Sequence, residues 1–174
     1  MLQTILVPTD GSEHANKAVD LAADLAGKYD GRMVILHILL RHASAMELKA
    51  LAQELGASDA LLQRIAKAED AYAETAMAAY GPVPLMVPDN ILIEMGELIT
   101  EAAEKRAKAH GARDFTVRVT DGAPAEVILK AADHEQADAI VMGSRGLGNL
   151  TGLLMGSVSH KVANHAVATC IAVK

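Results

Sequence analysis

The 174 residues are 51% hydrophobic, enough to give one domain a packed core of its own. A net charge of −6, with one Phe and no Trp, excludes the basic footprint and the aromatic stacking platform of a nucleic-acid binder. A single cysteine excludes an internal disulfide, and no apolar run reaches the roughly 18 residues of a membrane span.

The start MLQTILVPTDG carries neither the basic residues nor the cleavage site of a signal peptide, so a soluble, cytoplasmic protein is expected, with no membrane insertion. Gln3 to Pro8 is a short apolar run and predicts the first strand. Ser12 to Tyr29 follows with Ala15, Ala18, Val19, Ala22, Ala23, Leu25 and Ala26 at helical spacing. Asp30-Gly31 breaks that helix. Met33 to Leu40 is almost continuously apolar, the pattern of a strand buried on both faces of a parallel sheet.

Between His42 and Tyr80 the chain is rich in Ala, Leu and Glu. Leu48, Leu51 and Leu55 share one face, Gly56 stops the run, Ser58 can cap the next, and Leu61, Ile65 and Tyr72 mark a second helix. Three prolines between Gly81 and Pro88 forbid helix there and predict an extended connection. Helix resumes near Asn90 and runs to about His110. Strict alternation closes the chain: strand at Phe115 to Val119, helix at Ala123 to His134, strand at Ala137 to Met142, helix at Gly156 to His165, strand at Thr169 to Val173. Parallel strands need crossovers of about this length, so the expected fold class is α/β, an open parallel sheet with helices on both faces.

In such a sheet ligands bind beyond the carboxyl ends of the strands, where the winding direction reverses. Two loops qualify. One is Val7 to Ser12; the other is the glycine-rich stretch that follows Ala139-Ile140-Val141. There Gly143, Gly146 and Gly148 permit positive φ and close approach by a ligand, and Gly156-Ser157 opens the next helix with unpaired N–H groups and the positive end of its dipole. Ser157 and Ser159 offer hydroxyl donors and Arg145 a charge. No Gly-Lys-Ser/Thr follows, so the stretch is not a Walker loop, and a flexible loop ending in a helix cap is the plain alternative.

Asp10 has two readings. Asp10 with Glu13 matches a capping box for the first helix; alternatively its carboxylate meets a ribose or helps to hold a cation beside phosphates. Ile38 can wall an adenine ring or simply fill the core. The seven histidines show no metal-ligand spacing, so His37, His160 and His165 read as structural, and Cys170 in ATCIAV reads as a packed residue.

The segments ILVPTDGSEHA, VILHI, DGAPAEVILKAA and ADAIVMGSRGLGNLTGLLMGSVSHKV resemble the universal stress protein family over nearly all the chain outside residues 43 to 90. The spacing of Gly143, Gly146 and Gly156-Ser157 is similar to that of the family's ATP-binding subgroup. The resemblance implies a Rossmann-like, adenine nucleotide alpha hydrolase-like sheet in the order 3-2-1-4-5, as a single domain over 1–174 with a helical insertion at about 43–90. It implies that ATP, or AMP or ADP, lies against Pro8, Thr9, Asp10, Ile38, Met142, Gly143, Ser144, Arg145, Gly146, Gly156, Ser157, Val158 and Ser159, with Mg or Mn on the phosphates. Asp10 would meet the ribose and Ile38 the adenine. No catalytic residue and no protein metal ligand is assigned.

It further implies a homodimer through the last strand, Thr169 to Lys174, with higher oligomers open, and an unidentified regulated protein as partner. Two features depart from the family pattern: Ala168-Thr169 stands where Cys-Pro is common, and the helical segment from His42 to Tyr80 is longer than in compact members. The leading expectation is a nucleotide-dependent regulatory module. A slow ATPase or phosphoryl-transfer enzyme, and a dimeric stress protein without nucleotide, stand beside it; the absent P-loop lysine weighs against the first and the full glycine and serine set against the second.

Overall fold

Apolar runs that alternate with amphipathic ones must stack as sheet and helix layers. In the computed structural model, which describes residues 2–78, 87–148 and 154–174, the chain runs β1 (Thr4–Thr9), α1 (Glu13–Tyr29), β2 (Arg32–Ile38), α2 (Ala45–Glu54), α3 (Asp59–Ala78), α4 (Asp89–Ala109), β3 (Phe115–Thr120), α5 (Pro124–His134), β4 (Ala139–Gly143), α6 (Ser157–His165) and β5 (Thr169–Val173). The five strands form one sheet in the order β3-β2-β1-β4-β5, and every pair is parallel. Every predicted element is present, with ends shifted by a residue or two. Most of the expected extended connection, residues 81–86, lies outside the described residues, as does 149–153 of the glycine-rich stretch.

The chain divides into two compact units, Met1–Leu39 with Ile99–Lys174, and Leu40–Leu98. In the first, side chains alternate across the sheet as the period of two requires. Ile5, Val7, Met33, Ile35 and Val141 meet Ala18, Val19, Ala22, Ala23 and Ala26 of α1 and Ala103 and Ala107 of α4. Leu6, Val34, Leu36, Ile38, Ile140 and Met142 face the other way, onto Ala125, Ile128 and Ala132 of α5 and Val162 of α6. The alanine stripe of α1 brings its backbone close to the sheet. Polar ties close the margins: the Glu135 carboxylate, 5% exposed, takes Arg32 at 2.7 Å and Arg118 at 2.6 Å, and the Arg32 guanidinium is the main force holding its pKa below the ordinary carboxylate range.

The start of α1 differs from expectation. Its N-cap is Ser12, whose hydroxyl accepts the Ala15 N–H at 3.4 Å, and Glu13 pairs with Lys17 at 2.7 Å instead of closing a box on Asp10. The reason is local. Gly11 adopts φ +81°, and Asp10 Oδ1 accepts the Ser12 N–H at 3.0 Å, so a side-chain turn precedes the helix and moves its start two residues on.

The second unit is helical. Ser44 and Glu47 make the reciprocal capping box of α2, with the Ser44 N–H donating to Glu47 Oε2 at 2.7 Å and the Glu47 N–H to Ser44 Oγ at 3.2 Å. Gly56 at φ +71° ends that region, and Ser58 Oγ accepts the Leu61 N–H at 3.2 Å at the head of α3, as the sequence predicts. Leu48, Leu51, Leu61, Ile65, Ile91, Leu92 and Met95 are buried. Among the described residues no helix is long and apolar enough to cross a membrane.

Candidate functional site

Because β1 lies between β2 and β4, winding outward to β3 and then back past β1 to β5 leaves a crevice at the carboxyl ends of β1 and β4. Both predicted loops arrive there. Pro8 and Thr9 end β1 and are buried; Asp10 follows them, half-buried; Ile38 ends β2, 7% exposed. Met142 and Gly143 end β4, Ser144 to Gly146 turn away from it, and Gly156 to Ser159 start α6.

The two loops are joined through one side chain. While Oδ1 of Asp10 holds its own turn, Oδ2 accepts the Leu147 N–H at 3.2 Å, so the carboxylate spans the two loops instead of closing a capping box with Glu13. Gly146 lies against the same carboxylate: a Cβ there would overlap Asp10 Oδ2. Gly143 has a different neighbour. A Cβ on it would stand 2.8 Å from the Ala15 nitrogen and 2.9 Å from the His14 carbonyl carbon, so what closes on this glycine is the first turn of α1, not a ligand. None of Gly143, Gly146, Gly148 and Gly156 has positive φ, so the freedom they offer is not used there; Gly143 and Gly146 need small size, whereas a Cβ on Gly156 would make only ordinary contact and one on Gly148 would meet nothing among the described residues.

Ser144 is the hub of the inner wall. Its N–H donates to Val173 O at 2.7 Å, and its carbonyl accepts the Gly156 N–H at 2.7 Å and the Ser159 hydroxyl at 2.7 Å, while its Oγ lies 3.1 Å from His14 Nδ1. Ser159, 3% exposed, directs its only proton inward to the carbonyls of Ser144 and Gly156, which corrects its expected role as a hydroxyl donor to a ligand. Met142, 5% exposed, belongs to the core between sheet and α6. Ser157, Arg145 and Gly146 are exposed, and Val158 is half-buried.

At the head of α6 no side chain caps the helix. The His160 N–H is the first to find an i−4 acceptor, on Gly156 at 2.9 Å. Helix geometry therefore turns the N–H groups of Ser157, Val158 and Ser159 toward the crevice mouth, at the positive end of the helix dipole. That arrangement attracts an anion, with the Arg145 charge on the exposed loop before it.

The floor holds a group the motif reading passed over. His37, fully buried, places Nδ1 2.9 Å from the Thr9 carbonyl, and burial drives its pKa down. Thr9 Oγ1 accepts the Gly11 N–H at 3.3 Å. Neither the His37–Thr9 nor the His14–Ser144 contact has a local sequence signal, since the partners are 28 and 130 residues apart. Cys170 is partly buried in β5 with its thiol pKa raised by burial, as a packed residue should be.

Known proteins are similar to this chain over its whole length. The sequence model of the Universal stress protein family matches residues 1–174. The Universal stress protein in QAH/OAS sulfhydrylase 3'region of Thermus aquaticus is 33% identical over 178 residues, covering 100% of both chains. Universal stress protein Rv1636 of Mycobacterium tuberculosis is 30% identical over 165 residues, 94% of this chain and 90% of its own. Among solved structures, a universal stress protein in complex with cAMP superposes with a TM-score of 0.60 at 25% identity, over 99% of this chain and 96% of that one. UspA from Lactobacillus plantarum, 21% identical with a TM-score of 0.62 over 99% and 98%, shares the fold. A full-length family match, relatives at and above 30% identity, and the same sheet order lead to one conclusion: the chain belongs to the universal stress protein family.

Proposed function

We propose that this protein binds an adenine nucleotide, ATP or its products ADP and AMP, in the crevice between β1 and β4, and acts as a nucleotide-dependent regulatory module of the stress response. The observation that carries the reading is the tie between Asp10 and the Leu147 N–H, which joins the loop after β1 to the loop that leads into α6, a helix whose head no side chain caps. An acidic oxygen suits ribose hydroxyls, and exposed helix N–H groups suit phosphates; one comes from the loop after β1 and the other from the helix after β4. The cAMP complex of a 25% identical family member supports the choice of an adenine nucleotide.

In this reading Ile38 walls the base, Pro8, Thr9 and Gly146 the ribose, and Gly156, Ser157 and Val158 the phosphates. Magnesium or manganese would enter with the phosphates, whose oxygens are the hard ligands such ions prefer. Regulation requires that the nucleotide bind two assembly or partner states unequally. The test is titration calorimetry with ATP, followed by product analysis of the saturated complex. Saturable binding without ADP release over a long incubation is expected. Rapid turnover would overturn the regulatory reading, and no binding of ATP, ADP or AMP would overturn the site.

We further propose a homodimer through β5, within a single family domain that carries the helical insertion. Thr169 N–H donates to Asp138 O and Val173 O accepts the Ser144 N–H, so odd residues of β5 bond to β4 and Cys170 and Ala172 turn their backbone groups outward. Proline is tolerated where an edge N–H faces away from the sheet. Ala172→Pro is therefore expected to keep the fold and to convert a dimer into monomer in sedimentation velocity. An unchanged dimer would place the interface elsewhere.

A further inference from the structure

We propose that His37 is a positioning residue of the crevice, which as a neutral ring protonated on Nδ1 fixes the peptide plane from which Asp10 projects. Its part in ligand binding rests on the nucleotide reading above; its part in holding the loop does not. His37 stands opposite Thr9 in the β1–β2 register, one residue before the end of β2, with no exposed surface. Its Nδ1 is 2.9 Å from the Thr9 carbonyl oxygen. A carbonyl only accepts, so Nδ1 carries the hydrogen.

The other ring nitrogen shows that this is the only state the site tolerates. Nε2 is buried and has no hydrogen-bond partner among the described residues. A hydrogen there would leave an unpaired donor, and on an already Nδ1-protonated ring an unpaired cation, away from water. A lone pair without a partner is the smaller cost. The hydrogen bond the ring makes is therefore the one to the Thr9 carbonyl.

That bond acts on Asp10 directly. The Thr9 carbonyl and the Asp10 N–H belong to one planar peptide unit, so holding the carbonyl sets the plane's rotation and, with it, the direction in which the Asp10 Cα–Cβ bond leaves the strand. From there Asp10 Oδ2 reaches the Leu147 N–H, and Oδ1 the Ser12 N–H. His37 thus governs the distance between the two banks of the crevice through a single carboxylate.

The experiment compares the parent with His37→Leu, which fills the volume without a donor, and His37→Asn, whose amide nitrogen occupies the same distance from Cβ as Nδ1. Long-range proton–nitrogen NMR of the parent should show the hydrogen on Nδ1 and a bare Nε2; a hydrogen on Nε2 would overturn the proposal without any variant having to fold. In His37→Leu the Leu147 amide should exchange about tenfold faster relative to the core amides of β1 and β4, and ATP should bind about tenfold more weakly, while the melting temperature falls by no more than a few degrees. His37→Asn should restore both. Unchanged Leu147 exchange in His37→Leu would overturn the proposal. If the parent does not bind ATP, the nucleotide reading fails alone, and the Leu147 exchange still decides the role of His37.

Discussion

Replacing Gly146 with valine is expected to weaken ATP binding by about 100-fold while leaving the melting temperature within a few degrees of the parent's. A Cβ at this position overlaps Asp10 Oδ2, so the carboxylate must swing away, and its hydrogen bond from the Leu147 N–H goes with it. Loss of a charge-assisted bond to ligand costs about 1.5–3 kcal/mol, or roughly 10- to 100-fold in affinity, and the branched side chain adds direct obstruction. The fold is spared because Gly146 is exposed and belongs to no strand or helix. A double-mutant cycle isolates the cause: once Asp10→Ala has removed the carboxylate, Gly146→Ala should cost little more, since its Cβ then has nothing to displace. Calorimetric titration of the four proteins checks this, and independent, additive losses would sink the proposed tie between the two positions.

Gly143→Ala should fail in the opposite way, by losing stability before it loses any ligand contact. The added carbon would meet backbone, the Ala15 nitrogen at 2.8 Å, the His14 carbonyl carbon at 2.9 Å and the Arg145 carbonyl oxygen at 3.0 Å, and none of these can rotate aside. Relief requires α1 to lift from β4, opening the alanine-lined layer against Val141 and Val7. Overpacking of this kind costs about 1–3 kcal/mol, which in a domain this size lowers the melting temperature by roughly 3–10 °C. Thermal unfolding followed by circular dichroism measures it; a melting curve that coincides with the parent's would show that α1 is free to yield. Two glycines three residues apart in one motif therefore serve different ends, one the packing of the scaffold and the other the shape of the site.

That distinction was not legible in the sequence. Glycine spacing announces that side chains are unwelcome but not which neighbour excludes them, and the neighbours that matter at Gly143 and Gly146 come from the β1–α1 junction, about 130 residues away. The sheet, by contrast, could be read almost completely. Continuous burial along Met33–Ile38 and the alternation of Ile5, Leu6 and Val7 between the two cores follow from apolar runs whose period is set by local backbone geometry. Competing local signals explain the misplaced cap of α1: Asp10 and Ser12 are both good cap residues, and the freedom of Gly11 at φ +81° let Asp10 close a turn and passed the cap to Ser12. In the sequence Ser159 offers a hydroxyl donor near a helix start. In the fold its proton is taken by the Ser144 carbonyl, an acceptor that exists only once β4 and α6 have met.

The central claim is that the nucleotide sits across the β1–β4 crevice, between Asp10 and the head of α6. Backbone amide NMR during titration with ATP tests it most directly. The account predicts the largest shifts at Asp10, Gly146, Leu147, Ser157, Val158 and Ser159, saturating together with the calorimetric binding curve. Shifts confined to residues 40–98, or none at saturating ATP, would contradict it.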